Sequence, residues 1–381
     1  MQANSEKPVK KNLLVTLADR NYIPQVKQLF SSVYWNAGWD GDYMLLAHDI
    51  PENELEWFRE KGIFVKKCEP LRLDKIGMGH NPIILDKFYI FTTEFKKWDH
   101  IVFMDSDIIV NGSLNKLTKL KGMGAICSSI RLSKHFSGAQ AQIAEIKNRY
   151  KYNNWKKSFN SGVMAFPTSI IHDDLLAELL NLYDKYDVIT NCNEESILNL
   201  FFYKKWKKLP RVYNNLHVSF FTFHNLKFMR IPTIVNHFMG IFLDGRYING
   251  YRPWLSENPF HREWCLNLDK AESIDLRIKQ HGNEWHPCNI YFFSFLINSA
   301  EFISFSFIKI RYSFLCRSIK DLFHIIKKAH TNLLFRLKSL IIKFLGFLMN
   351  FPLWILGKAG LFLKKHNRDL YNRLKKTKSG K

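Results

Sequence analysis

Between residues 12 and 110, short apolar runs that end in polar residues alternate with helix-patterned stretches. The run NLLVTLADR (12–20) precedes the helix-like PQVKQLFSSVYW, and DYMLLAHD (42–49) follows. PENELEWFREKG (51–62) carries Pro near its start and Gly at its end, which are helix start and stop signals. IFVKKCEPL reads as a third strand. NPIILDKFYIFTTEF (81–95) has a helical pattern, with Asn81 as cap and Pro82 at the first position. HIVFMDSDIIV (100–110) closes the series as a strand. This order predicts an α/β fold with a doubly wound sheet and helices on both faces. Ligands of such sheets bind outside the carboxyl ends of the strands.

Asp105 and Asp107 lie at that end of the last strand. Carboxylates at i and i+2 on a strand share a face. Two such charges repel unless water or a cation neutralises them. Hard divalent ions want oxygen ligands, and Mg²⁺ or Mn²⁺ also grips phosphate oxygens. The pair therefore reads as a metal site bridging the protein to a pyrophosphate. The bland alternative is two solvated aspartates in a turn. A further rival is a phosphatase that uses one Asp of a D-x-D as nucleophile. In such enzymes the motif opens the catalytic domain, whereas three strands precede it here, and Ile109 fills the usual Thr/Val place.

Later stretches extend the pattern. SFNSGVMAF (158–166) and PTIVNHFMG (232–240) read as strands, and 173–186 and 193–206 as amphipathic helices. In their order, VTLADRNYIPQVKQLFSSV, LDKFYIF, VFMDSDIIV, FNSGVMAF, EESILN, LPRVYN and HFMG followed by RPW resemble the family 8 glycosyltransferases. The resemblance covers residues 12 to 254. It implies a GT-A-type nucleotide-diphospho-sugar transferase fold, with a Rossmann-like mixed sheet, and a retaining transfer of glucose or galactose from a UDP-hexose.

By that resemblance Asp105, Asp107 and His237 hold Mn²⁺ (or Mg²⁺). Thr16, Leu17, Ala18 and Tyr22 line the uridine. Lys87, Asp105 and Ser106 touch the donor, and Asn160, Ser161 and Gly162 face the sugar. Gly240 and Arg252 embrace the diphosphate. Glu194 and Glu195 are the catalytic candidates, one of them lying beside the anomeric carbon or binding the sugar hydroxyls. Each has a plain structural reading too: core packing for Leu17, a backbone spacer for Gly162, and helix-dipole stabilisation for the two glutamates. The sequence departs from the family twice. Glu194–Glu195 replaces the usual Asp-Gln, and Arg252 replaces a lysine after a longer gap, IFLDGRYINGY, which makes Arg246 a competitor. An inactive protein that keeps the fold is the non-enzyme alternative.

Formal net charge is +22. Residues 301–381 hold 18 Lys+Arg against 3 Asp+Glu, a net of +15 that leaves +7 for the first 300. The expected division is a catalytic region 1–288 and a basic, apolar helical tail 289–381. Leu322, Ile326, Ala329, Leu333, Leu337, Leu340 and Phe344 recur at helical spacing, with basic residues mostly off the stripe. Such a helix reads as lying in an anionic membrane interface; the plain alternative is an ordinary helical bundle packed on the sheet. The stretches 290–308 and 348–363 are weak spans, interrupted by Glu301 and by Pro352 and Lys358. No nucleic-acid motif accompanies the charge. The six cysteines form no C-x-x-C pair, and the start lacks an apolar signal core. Reduced thiols and a cytoplasmic location, peripheral on the inner face of the membrane, are the expectation. The acceptor is then a glycan or glycolipid of the cell surface.

Overall fold

The structure is a computed structural model that describes residues 11–72, 82–151, 156–216, 232–239, 241–243, 246–248, 252–276, 285 and 289–299. Asn81, Gly240 and the tail stripe lie outside the described residues. The chain divides into two units, Met1–Asn298 and Ser299–Lys381. Among the described residues no helix is long and apolar enough to cross a membrane.

The first unit is built on a seven-stranded sheet. Strands β1 (Asn12–Ala18), β2 (Asp42–His48), β3 (Phe64–Cys68) and β4 (His100–Met104) run parallel in the order β3-β2-β1-β4. Beyond β4 the sheet turns mixed. β7 (Lys157–Pro167) pairs antiparallel with β4 and with β6 (Gly124–Arg131), and β8 (Lys207–Lys208) closes the edge.

Alternation along the strands assigns the two faces. Leu13, Val15, Ile101 and Phe103 join a core with α4 (Leu175–Tyr186) and α5 (Asn193–Phe201). The opposite side carries α1 (Ile23–Asn36) and α2 (Glu52–Glu60), where Phe30 meets Tyr43 edge-on at 5.5 Å. Helix α3 (Gln140–Tyr150) follows β6, and α6 (His261–Asp269) packs on α1.

Two expected elements take other forms. The helix expected over 81–95 is wound as 3₁₀ turns, Pro82–Phe91 and Thr93–Lys97. Three residues per turn bring i and i+3 into line. Leu85, Phe88 and Phe91 thus form one fully buried row, and Phe91 stacks on Phe166 at 5.1 Å. The run 100–110 is also two strands. β4 stops at Met104, and β5 (Ile108–Val110) leaves the main sheet to pair with β9 (Val235–His237). Helix α1 holds β5 in that position: Ser32 Oγ accepts from Val110 N at 3.1 Å, and Asn36 Nδ2 donates to Val110 O at 2.8 Å.

A carboxylate and imidazole centre at the strand ends

Asp105, Ser106 and Asp107 occupy the break between β4 and β5. That break aims both aspartates at one place. The β5–β9 ladder sets Ile108 opposite His237, and Phe238 N donates to Asp107 O at 2.9 Å. His237 Nε2 consequently lies 3.1 Å from Asp107 Oδ1 and 3.7 Å from Asp105 Oδ2. The expected trio converges, with one ligand atom from each within 4.8 Å of the others.

The sheet also delivers the N-S-G stretch. Ala125 pairs with Met164 but Ile126 with Asn160, so β7 bulges over Ser161–Val163. Bulges re-aim side chains beside functional sites. Gly162 O accepts from Asp105 N at 2.9 Å. A Cβ at Gly162 would fall 2.2 Å from His237 Cε1 and 2.7 Å from Asp105 Oδ2. Only a glycine lets imidazole and carboxylate meet there.

Asn214, in the LPRVYN stretch, carries a role the sequence reading did not assign. Its amide donates to Asn160 Oδ1 at 2.9 Å, and its Oδ1 stands 3.0 Å from His237 Nδ1. An Nδ1–H bonded there turns Nε2 towards the aspartates, as outer hydrogen bonds do for metal-binding histidines. The signal available in the sequence was a polar residue ending an otherwise apolar V-Y run.

Two cations complete the centre. Lys87 Nζ lies 3.2 Å from Asp105 Oδ1 and 2.9 Å from Glu194 Oε1, and donates to Ser161 Oγ at 3.3 Å. Burial disfavours its charge, but Asp105 and then Glu194 outweigh this, and its pKa rises. Arg252 donates to Asp107 Oδ2 and, at 2.8 Å, to Phe238 O. Burial would raise the Asp107 pKa, yet His237 and Arg252 hold it below the ordinary range. The long gap before Arg252 holds a hairpin, β10 (Ile241–Leu243) with β11 (Arg246–Ile248). An antiparallel hairpin returns the chain near its origin, so the insertion does not carry Arg252 away. The Arg246 side chain lies outside the described residues.

Glu194 and Glu195 open α5 behind the bulge. Asn193 sits at φ 42°, a left-handed turn that Asn tolerates. Both glutamates after it are buried. Glu195 Oε2 accepts from Asn160 Nδ2 and Ser161 N, each at 3.0 Å. Ser161 Oγ donates to Glu194 Oε1 at 3.0 Å. Burial, partly offset by Ser161 N–H and reinforced by Glu194, pushes the Glu195 pKa up to about 7.

At the carboxyl end of β1, Thr16 and Ala18 are buried and Leu17 and Tyr22 are half-buried. Thr16 Oγ1 is a buried hydroxyl with no hydrogen-bond partner among the described residues. Ser106 is buried in the strand break.

The donor set of two carboxylate oxygens and one imidazole nitrogen suits a divalent ion, and Gly162 lets the imidazole and the Asp105 carboxylate approach. The fold is that of the GT-A glycosyltransferases. The galactosyltransferase LgtC, solved with donor and acceptor sugar analogues, superposes with a TM-score of 0.50 at 15% identity, covering 68% of this chain and 95% of LgtC. The bifunctional glycosyltransferase WbbM gives 0.51 at 15% identity, covering 72% of this chain and 53% of WbbM. Residues 13–256 match the glycosyl transferase family 8, and the chain belongs to that family. It is similar to glycosyltransferase GlyF of Streptococcus pneumoniae serotype 4 (strain ATCC BAA-334 / TIGR4), 25% identical over 53% of this chain and 48% of GlyF. Glycosyltransferase GlyB of the same strain is 25% identical over 69% of this chain and 63% of GlyB. The chain thus spans under two thirds of either relative.

Proposed function

We propose that the protein is a retaining hexosyltransferase. It moves glucose or galactose from a UDP-hexose to a glycan or glycolipid acceptor in the synthesis of lipopolysaccharide or another cell-surface polysaccharide. The observation that carries this reading is the convergence of Asp105, Asp107 and His237 beside the Asn160–Gly162 bulge. Family membership supports the donor class.

In this reading Asp105, Asp107 and His237 hold Mn²⁺ (or Mg²⁺), which when bound supplies Lewis acidity to the leaving diphosphate. Lys87 and Arg252, now paired with the aspartates, turn their charge to the diphosphate oxygens once those carboxylates are satisfied elsewhere. Donors placed where charge develops lower the barrier. Gly240, expected beside the same oxygens from the resemblance, lies outside the described residues. Thr16–Ala18 and Tyr22 bound the uridine, and Thr16 Oγ1 gains a partner there. Asn160 and Ser161 orient the sugar hydroxyls. One of Glu194 and Glu195 lies beside the anomeric carbon, stabilising its positive charge as the acceptor hydroxyl attacks, or binds the sugar hydroxyls.

Calorimetry of UDP-glucose and UDP-galactose with Mn²⁺, followed by donor hydrolysis, tests the proposal. One donor should bind and turn over only with metal. No binding and no hydrolysis would establish the inactive alternative. Release of phosphate from phosphomonoesters instead would favour the phosphatase.

The elevated Glu195 pKa gives a pH signature. Its carboxylate predominates above pH about 7 and its acid form below. A step that needs the negative charge should therefore quicken as pH rises through that value. Glu195→Gln should flatten the profile, and an unchanged inflection in that variant would remove Glu195 from the role.

The tail reading, a cytoplasmic enzyme docked on the inner membrane face, rests on the net +15 of residues 301–381. The full chain should sediment with phosphatidylglycerol vesicles and leave them as salt rises. Equal binding to phosphatidylcholine vesicles would defeat it.

A further inference from the structure

Glu195 has two faces. Oε2 is committed to Asn160 and Ser161, while Oε1 looks the other way, towards His135 at 4.0 Å. Cys192 joins them, and the His135 nitrogen, the Cys192 sulfur and a Glu195 oxygen lie within 4.8 Å of one another. No reading of the sugar site uses His135 or Cys192.

His135 is fully buried, and its Nε2 has no hydrogen-bond partner among the described residues. Its Nδ1 is engaged by Ser196 Oγ at 3.3 Å. That hydroxyl also accepts from Cys192 N at 3.1 Å and donates to His135 O at 3.1 Å. A hydroxyl has one proton and two lone pairs. With the proton on the carbonyl, the second lone pair receives Nδ1–H, and Nε2 is left as a bare lone pair. It faces a carboxylate oxygen, and 4.0 Å is too long for a hydrogen bond. Two acceptors and a thiol thus face one another. A buried imidazole fixed through its other nitrogen is the usual form of a metal-binding histidine.

We propose that His135 Nε2, Cys192 Sγ and Glu195 Oε1 form a second divalent cation site, suited to a thiophilic ion such as Zn²⁺. Nitrogen, sulfur and oxygen from three residues, with a fourth position open, match Zn²⁺ chemistry. Bonds of about 2.0–2.3 Å require these atoms to draw closer together on binding. Binding displaces the Cys192 thiol proton to solvent as the sulfur–metal bond forms. Because the thiolate and the neutral imidazole are the binding forms, affinity rises with pH. The site shares no ligand with Asp105, Asp107 and His237, whose harder set prefers Mn²⁺ or Mg²⁺. It sits directly behind the sugar-facing bulge and fixes Glu195 from the rear.

Cobalt titration of the metal-stripped full chain tests this. Co²⁺ should produce a thiolate-to-metal absorption band that Zn²⁺ abolishes. Asp107→Ala should keep the band, which separates this site from the first. Cys192→Ser should lose it, and His135→Gln should weaken Co²⁺ binding at least about 10-fold. No thiolate band in the native chain would overturn the proposal, as would a band surviving in Cys192→Ser. Should Cys192→Ser lose its native circular dichroism, an unaltered band in a folded His135→Gln variant would overturn it equally.

Discussion

Asp107→Ala is expected to lower metal-dependent sugar transfer by about 10³-fold, as loss of a group that stabilises developing charge does. Asp107 is held on three sides. It meets His237 Nε2 at 3.1 Å, pairs with Arg252, and its carbonyl receives Phe238 N at 2.9 Å. Its side chain therefore orders His237 and Arg252 together. Removal also takes the nearest carboxylate from two buried side chains. Breaking a buried pair costs roughly 3–5 kcal/mol. Asp107→Asn narrows the change, since it keeps the shape and one of the two acceptor oxygens but loses the charge. The measurements are Mn²⁺ affinity by calorimetry and thermal unfolding of both variants. Native-level Mn²⁺ binding by folded Asp107→Asn would sink the metal assignment.

Gly162→Ala should be nearly as damaging, although it adds a single methyl group. That carbon would stand 2.2 Å from His237 Cε1, 2.9 Å from His237 Nδ1 and 2.7 Å from Asp105 Oδ2. None of these groups retreats freely. Asn214 fixes the imidazole at 3.0 Å, and Gly162 O holds Asp105 N at 2.9 Å. Overpacking of this kind costs about 1–3 kcal/mol. The larger effect falls on the ligand set, where a displaced histidine should weaken Mn²⁺ binding about 10–100-fold. A Gly162→Ala chain that folds and binds Mn²⁺ as tightly as the native one would show that the approach of His237 to Asp105 is not required.

The strands β1, β2 and β7 are legible because each buries both faces, and the less buried β3 because its apolar start follows the helix stop at Gly62. The stretch 81–95 reads as a helix because its apolar spacing fits either winding. Its 3₁₀ turns pack into the core that Phe166 and Leu179 share. Strand β6 and helices α3 and α6 went unassigned, since GAICSSIR and QAQIAEIKNRY carry weak patterns that packing completes. Asp105 and Asp107 were found by residue type. The reason both point one way, a strand that breaks between them, was not visible.

The residues of the centre were read from motif order, and order says nothing about distance. His237 lies far along the chain from Asp107 and meets it only because β5 deserts the main sheet to pair with β9. Asn214 and the left-handed Asn193 orient His237 and Glu195 through contacts that no local pattern encodes. The sequence by itself determined the α/β class, the family and the chemical type of each candidate ligand, because apolar periodicity and residue chemistry are local properties. The tertiary structure alone decided which ligands meet, why position 162 admits no side chain, and that a histidine and a cysteine stand behind Glu195. Those facts follow from close packing between segments remote in the chain, where an ångström decides the outcome.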